Sequence, residues 1–317
     1  MLNATAKSKA TLPRGQDPAS RPPAAPSDTG GGQVPENRQS GAAFMFQQRR
    51  TGTRLQSAVT ILELIYHATV RNVRKGHANA MMSIVMNMIQ VAVFILAFYI
   101  MFSLLGLRSS AIRGDFLLYI MSGVFLYMTH AKTLGAVVGS EGPASPMMQH
   151  APMNTVISIA AAALSTLYIQ VLSLFLILFI YDVVHTRFTI DRPIAAFGCL
   201  LIAWFTGIAL GLLLLAIKPW FPTFVKIFTT VYQRANMIAS GKMFVANQLP
   251  AYMLAMFDWN PLFHTIDQSR GFVFINYSPR YTSIEYPIYV GIAFLMVGLM
   301  AEFYTRRHAS VSWNAKR

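Results

Sequence analysis

An arginine and a lysine, Arg234 and Lys242, stand inside a stretch that otherwise reads as membrane-spanning, with Tyr232, Gln233, Asn236 and Ser240 close by. On insertion scales such charges cost about 2.5–3.5 kcal/mol each at the bilayer centre, so they must face protein, water or a cargo rather than lipid. Tyr232, Arg234, Asn236 and Lys242 are therefore the candidate pathway residues. Arg234 can line such a path or pair with Glu302 or Asp267.

A second set follows: Asp258, Trp259, Asn260, Pro261, His264, Asp267 and Arg270. Carboxylates among aromatic rings suit carbohydrate, whose apolar faces stack on rings. They equally suit a packed interfacial segment anchored by its aromatics. In a helix over 261–270, His264, Asp267 and Arg270 recur three apart on one face, where an ion pair would hold the segment. Pro250 and the Asn260-Pro261 pair cut this region into two apolar pieces, each too short to cross about 30 Å of hydrocarbon. They read as a re-entrant hairpin that dips in and returns.

The rest of the chain must hold these residues in a bilayer. With 54% hydrophobic and 12% charged residues, and a mean hydropathy of +0.45, it reads as an integral membrane protein, and the net charge of +14 is no nucleic-acid signal. Its single cysteine, Cys199, excludes an intrachain disulfide and a cysteine metal cluster. Residues 1–55 are rich in Pro, Gly, Ser and Gln and predict a disordered basic tail without the apolar core of a signal peptide. A helix over 57–77 puts Val59, Leu62, Tyr66, Val70 and Val73 on one stripe, blurred by Leu64, with Glu63, His67, Arg71 and Arg74 on the next. It reads as an amphipathic interface helix, and a plain juxtamembrane anchor accounts for the same pattern.

Six spans follow, at about 84–107, 116–138, 155–181, 194–217, 225–247 and 287–304, with both termini cytoplasmic. Lys132, near the end of the second, is expected to snorkel, and Gly198, Gly207 and Gly211 allow close packing in the fourth. The predicted fold is thus all-α: six transmembrane helices in a domain over 56–317, an N-terminal interface helix, and a re-entrant outer hairpin before the last span. No Walker-type phosphate loop exists, since Gly241-Lys242 is followed by Met243. No zinc-protease, nucleophile-elbow or paired-cysteine motif occurs either, so no catalytic or metal-ligating residue is assigned.

The order of a polar-interrupted helix, Ser240-Gly241, Leu249-Pro250 and then Trp259-Asn260-Pro261-Leu262-Phe263-His264-Thr265-Ile266-Asp267-Gln268-Ser269-Arg270 resembles the permease subunits of ABC-2 type exporters. It is most similar to the capsular polysaccharide branch, related to O-antigen and teichoic acid exporters. That resemblance implies a homodimer in the bacterial inner membrane with two copies of a separate ABC ATPase. The ATPase would bind ATP and Mg, and this chain would bind no cofactor. It implies lipid-linked polysaccharide as cargo, periplasmic or outer-membrane export proteins as further partners, and no nucleic acid. It places the coupling helix in the Gly139–Asn154 loop, with Glu141, Met147, Met148, Gln149 and His150 as docking candidates, and rests the interface helix near the ATPase. Two other readings remain open: an ABC-2 permease for another lipid or small hydrophobic molecule, and a membrane-embedded transferase acting on lipid-linked sugars through Asp258, His264 and Asp267.

Overall fold

Runs of apolar residues without charges make the longest helices in a computed structural model that describes residues 54–75, 80–106, 112, 114–142, 154–184 and 188–308. The tail expected over 1–55 lies almost wholly outside these residues, as do Met147, Met148, Gln149 and His150 of the expected docking loop. Among the described residues every regular element is helical. In order they are α1 (Arg54–Lys75), α2 (Ala80–Leu104), α3 (Phe116–Val138), α4 (Thr155–Val184), α5 (Pro193–Ile217) and α6 (Pro222–Ala239). A 3-10 turn (Ala246–Gln248) then leads to α7 (Ala251–Phe257), α8 (Pro261–Val273) and α9 (Glu285–His308).

Among the described residues four segments are long and apolar enough to cross a membrane: Met81–Leu104, Thr155–Val184, Pro193–Ile217 and Glu285–His308. Of the six spans expected, these correspond to the first, third, fourth and sixth. Boundaries move for local reasons. The first helix stops at Leu104, short of 107, where Gly106 adopts φ +68°. The last runs on to His308, beyond 304, as Arg306 reaches back one turn to Glu302 at 3.0 Å. The stretch expected to run unbroken over 225–247 is interrupted, because α6 ends at Ala239 and the chain turns through Gly241 at φ +74°.

The centre of the fold is α3, which packs on α2, α4, α5, α6 and α8 and buries most of its length. Asp115 caps it, accepting from the Leu117 N–H at 2.9 Å and from the Tyr181 hydroxyl of α4. Glycine sets how closely its neighbour α5 approaches. A Cβ at Gly207 would fall 2.8 Å from the His130 carbonyl oxygen of α3, whereas one at Gly198 would meet nothing within 4 Å. Gly207 and Gly211 are thus packing positions and Gly198, expected with them, is not. On the far side of α5, Gly291 and Gly298 of α9 sit against Phe205 and the Leu212-Leu213 turn. The outer flanks carry exposed side chains such as Val93, Leu96, Phe179, Met296 and Met300, which is the surface a lipid solvent selects.

Helix α1 corrects the expected pairing of its faces. Leu64, Ile65, Ala68 and Val73 turn inward, and Ala68 packs with Ile157 and Ala161 of α4. Val59, Leu62 and Tyr66 are exposed, as are Glu63, His67, Arg71 and Arg74, with His67 Nε2 3.8 Å from Glu63. Leu64 therefore belongs to a second apolar face that the protein covers, leaving the Val59–Leu62–Tyr66 stripe open.

Because the atom nearest to Gly207 is backbone oxygen, no side-chain rotation relieves a substitution there. Gly207→Val is expected to lower stability by about 1–3 kcal/mol, seen as a lower unfolding midpoint of the detergent-solubilised protein. Gly198→Ala, in open space, should leave the midpoint unchanged or raise it.

Candidate functional site

The interruption after α6 is held by bonds from several parts of the fold. Ser240 ends the helix, and Gly241 turns with a left-handed φ that L side chains rarely adopt; a Cβ there would meet Phe263 at 2.5 Å. Lys242, Met243 and Phe244 then run to the 3-10 turn. In apolar surroundings every freed carbonyl along such a turn needs a donor.

Arg270, on α8 and fully buried, supplies them. Its Nη1 donates to the Gly241 oxygen at 2.8 Å and to the Phe244 oxygen at 2.6 Å, and its Nη2 to the Lys242 oxygen at 2.7 Å. The guanidinium carbon lies 4.2 Å from the ring centroid of Tyr119 on α3. Asp267, one turn earlier, accepts from the Ala246 N–H at 3.3 Å, the Tyr277 hydroxyl at 2.6 Å and the Thr282 hydroxyl at 2.8 Å. Burial and the Asp267 carboxylate push the Tyr277 phenol well above its usual range, so it stays protonated and donates. Asn260 caps α8 through the Leu262 N–H, while its Nδ2 donates to Asn236 Oδ1 at 2.7 Å and the Ala239 oxygen at 3.0 Å. Pro261 opens the helix where a missing N–H leaves no bond unmade.

The ion pair expected within 261–270 is therefore replaced by something else. Asp267 and Arg270 each hold a different part of the broken chain, and His264 pairs outside the stretch. Its Nδ1 accepts from the Ser283 N–H at 3.1 Å, which leaves Nε2 to donate to the Asp258 oxygen at 2.7 Å, with the Asp258 carboxylate at 3.2 Å. Trp259 sits exposed at the corner with its indole donating to the Met256 oxygen, and Tyr252, Tyr281 and Tyr289 are exposed nearby in the chain. Spacing of three residues on one helix face suggested local partners; partners across the fold took the same groups.

The four pathway candidates separate. Tyr232 and Asn236, one turn apart, face inward: the Tyr232 hydroxyl lies 3.2 Å from His130 Nε2, and Asn236 meets Asn260. Arg234, between them, points to the exposed side of α6. Neither of its expected partners is free for it, since Glu302 pairs with Arg306 and Asp267 holds the chain break. Lys242 is 3% exposed and its Nζ has no hydrogen-bond partner, lying instead 3.7, 4.7 and 5.1 Å from the ring centroids of Tyr127, Phe98 and Phe94. These rings lie on α2 and α3, and nothing in the spacing of the sequence pointed to them. Of the docking candidates Glu141 alone is described, half-buried, with its N–H donating to Ser158 at 3.2 Å.

Among the described residues, four helices long and apolar enough to cross a membrane mark a multi-pass helical membrane protein, and it holds a buried, hydrogen-bonded chain break. No protein-family model matches the chain, and no curated protein matches it either.

Two buried cations solved in different ways should respond differently to mutation. Arg270→Met strips its donors from three carbonyls, of which that of Gly241 keeps the Phe244 N–H at 3.3 Å, and should cost about 2 kcal/mol or more, since each unsatisfied group costs about 1–3 kcal/mol. Limited proteolysis between residues 241 and 248 would report the loosened turn. Lys242→Met removes a buried charge that lacks a hydrogen-bonded partner, and the unfolding midpoint should hold or rise.

Proposed function

We propose that this chain is the permease subunit of an ATP-driven exporter that moves lipid-linked capsular polysaccharide across the bacterial inner membrane. It would work as a homodimer with two copies of a separate ABC ATPase. The observation that carries this reading is the state of α6. Only Val225 and Asn236 of its 18 residues are buried, and it exposes Lys226 and Arg234 among Phe224, Ile227, Val231 and Ile238. Lipid covers a face that mixes apolar side chains with Lys226 and Arg234 only at a cost, about 2.5–3.5 kcal/mol for each charge that lies at the bilayer centre. A second copy and a hydrated path between the two can cover it without that cost. A cationic path suits a long anionic glycan, as the resemblance of the Ser240–Arg270 region to polysaccharide exporters implies.

In this reading α3 and α6 are the two further crossings. Helix α3 has 23 residues, about 35 Å at 1.5 Å per residue, and turns its polar groups inward to α5 and α6. With 18 residues, α6 reaches about 27 Å before the break. Helix α8, at 13 residues, spans only about 20 Å and is buried against α3 and α5, as a re-entrant piece would be. Both termini are cytoplasmic, and the 139–154 loop carries the contact with the ATPase.

An apolar groove of about 340 Å³ between α3, α4, α5 and α8, bordered by Leu118, Phe125, Leu200 and Val273, favours a second reading in which the cargo is a simpler lipid. Either cargo requires the ATPase. Full-length protein co-expressed with a candidate ABC ATPase should co-purify from detergent, and Met147, Met148 and Gln149 changed together to Asp should abolish the complex. If no ATPase associates with the wild type, the exporter reading fails. The transferase reading, in which Asp267→Asn eliminates all activity, would then take its place.

A further inference from the structure

Away from the chain break, α1, α2, α3 and α4 enclose a second polar place, a cavity of about 510 Å³ bordered by Ser83, Asn87, Gln90, Lys132, Thr166 and Gln170. Its volume is in the range of small-molecule sites, about 300–1,000 Å³. Lys132, expected to snorkel toward the interface, is aimed into it. The ammonium donates to Asn87 Oδ1 and to Gln90 Oε1, the latter at 2.6 Å, while Asn87 Nδ2 donates to Ser173 at 2.7 Å. Amide oxygens orient the lysine without cancelling its charge, and no Asp or Glu borders the cavity. The electrostatic demand of the site is therefore an anion.

Gln170 makes the demand more specific. It is 1% exposed, borders the cavity, and neither its Oε1 nor its Nε2 has a hydrogen-bond partner. A buried amide with both ends unmade costs about 1–3 kcal/mol per group, so the site calls for one acceptor and one donor on the same ligand. A phosphate oxygen takes the lysine and the Gln170 NH2, and an alcohol on the same headgroup donates to Gln170 Oε1. The surroundings add an apolar requirement. Met86 and Ile89 border the cavity and are exposed on the flank of α2, continuing to exposed Val85 and Val93. Lys132 lies about 9 Å along the axis from the end of α3 at Val138, within reach of the headgroup region of a bilayer.

We propose that this cavity binds the headgroup of an anionic, hydroxyl-bearing phospholipid of the phosphatidylglycerol type. Its phosphate sits on Lys132 and Gln170 and its acyl chains run along the outer flank of α2. The proposal needs only a membrane-embedded bundle and is independent of what the protein exports.

Full-length protein in nanodiscs of phosphatidylcholine with a minor share of phosphatidylglycerol, released and weighed by native mass spectrometry, tests it. Wild type should retain phosphatidylglycerol over phosphatidylcholine by about tenfold beyond their ratio in the disc, the worth of one charge-assisted hydrogen bond. Lys132→Gln should lose that preference and Lys132→Arg should keep it. Gln170→Leu leaves the lysine network intact and should lose the preference too, which separates loss of the site from loss of the fold. Stabilisation by glycerol 1-phosphate equal to that by the lipid would assign the site to a soluble phosphate ester and overturn the lipid. Equal retention of both lipids by the wild type would show a cavity that holds only water.

Discussion

A guanidinium with no route to water fixes the architecture. A chain that leaves helical geometry inside a membrane protein frees carbonyls that lipid cannot satisfy, and the turn after Ala239 does so three times. Arg270 answers all three from one side chain because its donors are spread in a rigid planar fork. Lysine, a single point charge on a flexible stem, has no such reach. Once the fork is engaged, α8 cannot slide relative to the end of α6. Asp267 and Asn260 then extend the same constraint to Ala246 and to Asn236, so the end of α6, the turn and α8 are tied to one another.

That rigidity gives α3 its polar content a purpose. Tyr119 lies under the guanidinium, Tyr127 lies under Lys242 and donates to the Gln233 oxygen at 3.0 Å, and His130 meets Tyr232. One face of a single helix thus contacts α6, the turn and α8 in succession. The glycines of α5 serve the opposite side, letting its backbone come close enough that α3 is enclosed. A helix with this many polar side chains is too polar to count as a span by hydropathy alone, yet most of its length is buried, because its polar groups are matched by neighbours rather than by water.

How much of this was legible in the sequence follows from the range of the forces involved. Apolar runs, Pro250 and Asn260-Pro261 act locally, and α7 and α8 begin beside the two proline breaks that the sequence marks, whereas α6 begins at Pro222, earlier than the expected 225. The break itself was marked by Ser240-Gly241, yet the span was expected to run through it, since hydropathy does not register a left-handed glycine. Side-chain partners were the least legible. Asp267 and Arg270 share a face, but the carbonyls of residues 241–244 compete for the arginine and win by offering three bonds. In α1, periodicity found the polar stripe correctly. It assigned the apolar side to one surface when there are two, because packing on α4 is not encoded in the helix's own repeat.

The contrast between the two buried cations bears on which residues the fold needs and which it merely tolerates. Arg270 has its charge distributed over three acceptors and an aromatic face, an arrangement in which the cation holds the structure together. Lys242 is carried on the same turn, and its backbone oxygen is one of the acceptors of Arg270, yet its own ammonium has only rings around it. Three cation–π contacts at about 0.5–2 kcal/mol each do no more than offset the several kcal/mol needed to bring an ammonium out of water. A charge near break-even in a turn this constrained is not explained by stability. Under the export reading proposed above the balance changes, since an anionic cargo reaching the rings would find the charge already placed there while Arg270 holds the turn.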